Sequence, residues 1–264
     1  MLKILFLGDD ARSKKTAELL ELKSSLKSTI LKNNNQMNIK YDVYILPIPM
    51  TVDGEYLNNQ SININLSKIF ENIPYDALII SGGKSIRNSI DVAKRDDFSY
   101  KNAIPTAEGA IALAINNTDI TLFDSKILIT GFGKVAKILV QKLRGLCNDI
   151  TVALRNKSDR ELIETLGIKT IPIESIADYV TDYNIIFNTV PDEIFNKEIL
   201  STANSKNLFI ELASNQLGFD TQAITKFKVN YINAPGLPNK VAPKTAAYIF
   251  ADTITNILEE KNLL

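Results

Sequence analysis

The chain has 264 residues, 45% of them hydrophobic, with 30 Lys and Arg against 30 Asp and Glu, so its formal net charge is zero. That balance disfavours nucleic acid and anionic membrane as partners, and the length suffices for two α/β domains, each with its own core. With no histidine and one cysteine, the chain lacks Ser-His-Asp and Cys-His schemes, most zinc sites and any intrachain disulfide; this fits a reducing cytoplasm and no metal centre.

Residues 2–7 read as a buried strand. The apolar start is too short for a signal-peptide core, and no apolar run reaches membrane-spanning length. The strand ends in Gly8-Asp-Asp-Ala-Arg12, where Asp9 and Asp10 are loop charges or a helix cap. A helical pattern covers 13–32 and stops at Asn33-Asn34-Asn35. A second strand at 41–46 is closed by Pro47 and Pro49. Residues 51–65 are polar and irregular. A helix at 66–73 and a strand at 76–81 follow, ending in Gly82-Gly83. These alternations predict a small parallel-sheet domain. Thr106 reads as the cap of a helix over 106–117, after Pro105, leading into the next domain.

The most informative stretch comes next. An apolar strand at 127–130 runs into Gly131-Phe132-Gly133-Lys134-Val135-Ala136, then an amphipathic helix, then a second apolar strand at 149–154. This is the dinucleotide-binding fingerprint in its proper context. Gly131 permits the tight turn, Gly133 lets the backbone approach the pyrophosphate, and Ala136 lets helix and strand pack closely. The phosphates should sit on N–H groups of the helix N-terminus, with Phe132, Lys134 and Val135 as the candidate residues. The alternative is a turn of this shape with no ligand. An NAD site usually carries an acid at the tip of the second strand; here Arg155-Asn156-Lys157-Ser158 stands there, which favours a 2′-phosphate and hence NADP. The alternatives are solvated loop charges, or Arg155 stacked on the adenine. Cys147, at the end of the apolar helix face, reads as core.

Further strands are expected at 184–188, 208–212 and 229–232. The strand end Phe187-Asn188-Thr189-Val190-Pro191 should pass beside the nicotinamide ribose, and the segment Glu211-Leu-Ala-Ser-Asn215, with Ala213 and Ser214, should border the nicotinamide. A Pro-rich loop at 235–243 precedes a helix at 245–260, which returns to the first domain. The fold class is therefore α/β with two parallel sheets. One domain is flavodoxin-like (1–118 plus 240–264) and the other a Rossmann domain (119–239).

Gly8-Asp-Asp-Ala-Arg12, Pro105-Thr-Ala-Glu-Gly-Ala-Ile111, Gly131-Phe-Gly133, Phe187-Asn-Thr-Val-Pro191, Leu212-Ala-Ser214, Ala234-Pro-Gly-Leu-Pro238 and Val241-Ala-Pro-Lys-Thr-Ala246 together resemble the family of dipicolinate synthase A subunits. The resemblance spans nearly the whole chain. It implies a cytoplasmic enzyme of the mother cell in sporulation, which uses NADP to oxidise a dihydro- or hydroxytetrahydro-dipicolinate to pyridine-2,6-dicarboxylate. It also implies a partner, the separately encoded dipicolinate synthase B subunit.

A dicarboxylate needs cationic or N–H-rich subsites. The candidates are Arg12, Arg87, Lys240 and Lys244, with Thr106 and the backbone N–H groups of Gly82 and Gly83. Without histidine, Glu108 or a lysine such as Lys240 is the candidate proton acceptor. Each has a plainer alternative: Glu108 as a helix-dipole charge, Arg12 as a loop cap, the lysines as solvated. The rival function is a non-catalytic NADP-binding scaffold for a catalytic partner, supported by the absence of histidine. The oligomeric state is open, a homodimer included.

Overall fold

The structure, a computed structural model, describes residues 1–213 and 218–264. The chain divides into two compact units, residues 1–102 with 242–264, and residues 103–241. The first unit contains β1 (Leu2–Phe6), α1 (Ala11–Glu21), β2 (Leu26–Ile30), β3 (Val43–Ile45), α2 (Leu66–Asn72), β4 (Leu78–Ser81), β5 (Ile90–Asp91) and the first turns of α3 (Asp96–Asn116). The second unit takes the rest of α3. Then follow β6 (Lys126–Thr130), α4 (Lys134–Leu143), β7 (Asp149–Leu154), α5 (Lys157–Thr165), β8 (Lys169–Pro172) and α6 (Ile176–Tyr179). It closes with β9 (Ile185–Asn188), α7 (Lys197–Thr202), β10 (Leu208–Glu211), α8 (Thr221–Phe227), β11 (Tyr231–Asn233) and α9 (Leu237–Val241). The final helix, α10 (Pro243–Glu260), lies in the first unit.

The strand pairings are parallel, which buries both faces of each sheet and explains the unbroken apolar runs. The first sheet is ordered β2-β1-β3-β4-β5, the flavodoxin-like order. The second is ordered β11-β10-β9-β6-β7-β8; counted from β6 this is the Rossmann order, reversing between β6 and β9. Side chains alternate between two cores on each sheet. Ile127, Ile129, Val152 and Phe187 face one layer, while Leu128, Ala153, Ile186 and Phe209 face the other.

α10 packs on α1 and buries Ala246, Ala247, Ile249, Phe250, Ile254, Ile257 and Leu258. Phe98 of α3 meets Phe250 edge-to-face at 5.9 Å. Arg95 bridges Asp97 at 2.8 Å and Glu260 at 2.6 Å, holding both carboxyls below their usual range. No helix among the described residues is long and apolar enough to cross a membrane.

Three expectations about elements change. The helix expected over 13–32 ends at Glu21, and Leu26–Ile30 is a strand; the run Lys27-Ser-Thr-Ile suits a strand, and pairing with β1 decides it. The helix expected to start at Thr106 starts at Asp96, where Asp96 and Asp97 favour its N-terminus, and it carries Pro105 inside. Within 235–243, Leu237–Val241 is a short helix. The strands at Ile90–Asp91 and Lys169–Pro172 carry no clear signal in the sequence.

Candidate functional site

The turn after β6 is built for close approach. Gly131 has φ +80°, the left-handed region that disfavours side chains, and its N–H donates to Ala153 O at 2.8 Å. A Cβ there would lie 2.8 Å from Val190 Cγ2 and 3.0 Å from Thr189 Oγ1, so the segment after β9 backs the turn directly. Gly133 differs: its backbone is ordinary extended chain (φ −74°, ψ −172°), and a Cβ would meet no heavy atom of the described residues within 4 Å. Gly133 is the N-cap of α4 and, as a glycine, brings no capping side chain of its own. The space over Gly133 and the N–H groups of the first helical turn fit a pyrophosphate. Behind them Ala136 is fully buried against the sheet, which a larger residue would push away.

The carboxyl ends of β6, β9 and β10 are joined by buried polar side chains. Asn188 Oδ1 accepts from Thr130 Oγ1 and from Val190 N at 3.2 Å, and Asn188 Nδ2 donates to Val190 O at 2.9 Å. Nδ2 also donates to both Glu211 oxygens, at 3.0 and 3.1 Å, and Glu211 Oε1 accepts from Ala213 N at 2.9 Å. Thr189 Oγ1 donates to Thr130 O at 2.7 Å. A Cβ on Gly218 would strike Asn188 Nδ2 at 1.9 Å and Glu211 Oε2 at 2.4 Å, so the chain returns hard against this network. At the tip of β7, Asn156 caps α5 and Lys157 and Ser158 are exposed. Arg155 pairs with Asp192 at 3.5 Å, both side chains being largely exposed. Because β6 lies between β7 and β9, this pair spans the mouth above the glycine turn.

No protein-family model matches the chain. It is 30% identical over 233 residues to the dipicolinate synthase A subunit of Bacillus subtilis (strain 168); the alignment covers 83% of this chain and 78% of that protein. The chain belongs to the dipicolinate synthase A-subunit family. The crystal structure of the dipicolinate synthase A subunit from Bacillus halodurans is 26% identical, with a TM-score of 0.86 over 97% of each chain. The fold extends to dehydrogenases: NAD-dependent formate dehydrogenase from Staphylococcus aureus in complex with NAD, 14% identical, covers 98% of this chain and 95% of its own at a TM-score of 0.62.

In this member of the dipicolinate synthase A-subunit family, the second unit brings Gly131, Phe132, Gly133, Lys134, Val135, Asn188, Thr189, Val190, Pro191 and Ala213 to neighbouring strand ends, while Ser214 lies outside the described residues. Glu108 is not among them. It pairs with Lys142 at 2.8 Å in the last turn of α4, at the opposite end of that helix from Gly133. Thr106 is an interior residue of α3 and not a cap.

In the first unit the expected anchors turn inward. Arg12 is 4% exposed, with Nη2 donating to Ile48 O at 2.6 Å and its guanidinium over the Phe250 ring. Arg87 donates to Phe70 O and Ile73 O at the end of α2 and stacks over Phe70, which makes it a helix-end clamp. The Gly83 N–H is taken by Asp91 Oδ1 at 2.8 Å, and Gly82 packs against Ile48. Asp10 is the N-cap of α1, while the buried Asp9 accepts from Gln60 N and Ser61 Oγ. Asn59 Nδ2 donates to Leu7 O and Leu31 O, so the loop at 51–65 closes the carboxyl ends of β1 and β2. Lys244 is the exception, exposed over Tyr248; Lys240, which belongs to the second unit in α9, is exposed as well. Sequence reasoning missed Thr130 and Asp192; it set the segment starting at Glu211 beside the nicotinamide but gave the Glu211 carboxylate itself no function.

Proposed function

We propose that this chain is an NADP-dependent oxidoreductase that converts a dihydro- or hydroxytetrahydro-dipicolinate to pyridine-2,6-dicarboxylate. It carries the chemistry itself and assembles with a separately encoded B subunit in the mother-cell cytoplasm during sporulation. The observation that carries this reading is the glycine turn: Gly131 in the left-handed region and, among the described residues, open space over Gly133 at the start of α4, in a chain of this family. When bound, NADP supplies a hydride acceptor, and aromatisation of the product ring provides the driving force. The chain's own residues bind and orient. The N–H groups of Phe132, Lys134 and Val135 take the pyrophosphate. Arg155, with Asn156, Lys157 and Ser158, takes the 2′-phosphate, a stronger partner for a guanidinium than the Asp192 carboxylate at 3.5 Å. Asn188 to Pro191 and Ala213 shape the nicotinamide side. Lys244 suits a substrate carboxylate, and Lys240 a carboxylate or the released proton.

A second reading, a non-catalytic NADP-binding scaffold, has its own support. The chain has no histidine, and Glu108 is tied to Lys142 away from the turn. One experiment separates them: NADPH formation from a synthetic dihydrodipicolinate pool, by the chain alone and mixed with a B subunit. Turnover by the chain alone is expected. Turnover only in the mixture favours the scaffold, and a chain that binds no NADP sinks both.

A further inference from the structure

Glu211 ends β10 at 1% exposure, and its carboxylate is met by N–H donors: Asn188 Nδ2, Ala213 N and Gly218 N. The Asn188 amide cannot be turned over to change this. Val190 N–H can only donate and holds Oδ1, while Val190 O takes a proton from Nδ2. Nδ2 therefore faces Glu211, and a proton on a Glu211 oxygen would point at donors. The geometry fits the ionised carboxylate even though burial pushes its pKa up. Among the described residues the groups holding it are neutral amides, so its charge is solvated by hydrogen bonds but not cancelled. Burial first, and Glu211 second, push the hydroxyl of the neighbouring Tyr231 up to about 12.

We propose that Glu211 makes this site favour the oxidised, positively charged nicotinamide ring over the reduced, neutral one. The inference rests on the reading that the second unit binds a dinucleotide. In a sheet of this order the dinucleotide lies across the carboxyl ends of the strands, with its adenosine half on the β7 side and its nicotinamide half over β9 and β10. The buried charge thus stands on the side of the one ring whose charge changes. Pyrophosphate, adenosine and 2′-phosphate are shared by both forms, so their contributions cancel in the ratio of the two affinities. For unit charges about 10 Å apart at an effective dielectric of about 20, the ratio moves on the order of tenfold.

The experiment is calorimetric titration of the full chain with NADP⁺ and with NADPH, for wild type, Glu211→Gln and Glu211→Asp. The Gln variant should lose on the order of tenfold in the ratio of NADP⁺ to NADPH affinity, over and above any loss its misplaced amide causes to both, and the Asp variant should keep the wild-type preference. A merely structural role moves both affinities together, and that result, or no change in either, overturns the proposal. Should the Gln variant not fold, wild type answers alone: it must bind NADP⁺ more tightly than NADPH, and equal or reversed affinities overturn the assignment. If wild type binds neither form, the dinucleotide reading falls and this inference with it. If both bind and the Gln variant leaves their ratio unmoved, only the role of Glu211 falls.

Discussion

Substitutions at Gly131 and Gly133, two residues apart in one turn, should fail in opposite ways. Gly131→Ala forces a side chain into φ +80°, which costs about 1–2 kcal/mol. Its Cβ also meets Val190 Cγ2 at 2.8 Å and Thr189 Oγ1 at 3.0 Å, a crowding that adds about 1–3 kcal/mol. The second unit should therefore lose roughly 2–5 kcal/mol of stability, enough to lower its melting temperature plainly. Gly133→Val meets no backbone strain, since the chain there is ordinary extended backbone, and no atom of the described residues lies within 4 Å of the new Cβ. Its stability cost is the loss of a tolerant N-cap, about 1 kcal/mol or less. Its binding cost is large, because the new methyl groups occupy the space assigned to the pyrophosphate: more than tenfold in NADP affinity, or about 1.4 kcal/mol at least. Thermal unfolding and calorimetry on both variants separate the effects. A folded Gly133→Val protein with wild-type NADP affinity would show that the open space over Gly133 is not the phosphate site.

Arg155→Asp should weaken NADP more than NAD, by roughly tenfold or more, the worth of hydrogen bonds to a charged group; wild type binding NAD as tightly as NADP contradicts this. Glu108→Gln should keep turnover within about twofold, because its carboxylate pairs with Lys142 far from the turn; a loss of about a hundredfold, the scale of a missing general base, would restore Glu108 as proton acceptor. Asp97 and Glu260 have ordinary values of 3.8 and 4.5, and Arg95 lowers both in the folded chain. Depressed acids stabilise above their unfolded values and lose that contribution as pH falls through the folded ones. The first unit should therefore be steady near neutral pH and weaken below about pH 4, with a shallower acid dependence in an Asp97→Asn, Glu260→Gln double variant. Unfolding midpoints against pH for the two proteins decide it.

Much of the second unit is legible in the sequence because its signals are local. Gly131 announces the turn by its backbone demand, Gly133 and Ala136 mark close approach by their small size, and the flanking apolar runs have one plausible pairing. The strand at Leu26–Ile30 is hidden, because Lys27, Ser28 and Thr29 follow a helix without a strong stop and only pairing with β1 commits them. Pro105 looks like a helix boundary by its own chemistry, yet α3 runs through it, since packing of the helix on both sides of the proline outweighs one missing hydrogen bond. Arg12 and Arg87 read as available cations because a sequence shows a charge but not the carbonyls of Ile48, Phe70 and Ile73 that await it. The Thr130–Asn188–Glu211 network is invisible for the same reason: its members are far apart in the chain and meet only at neighbouring strand ends.

The two sheets share a plan, and at the carboxyl end of the first the chain acts as its own guest. Asn59 offers its amide to the carbonyls of Leu7 and Leu31, Asp9 grips Gln60 and Ser61, and Gly8 leaves only room enough for Pro47. A ligand arriving there would find the polar groups it needs already answered by residues that can never diffuse away. A tethered occupant is present at an effective concentration no dissolved molecule matches. In the first sheet, residues of the loop at 51–65 thus stand at the strand ends where the second sheet, on the function proposed above, takes a dinucleotide.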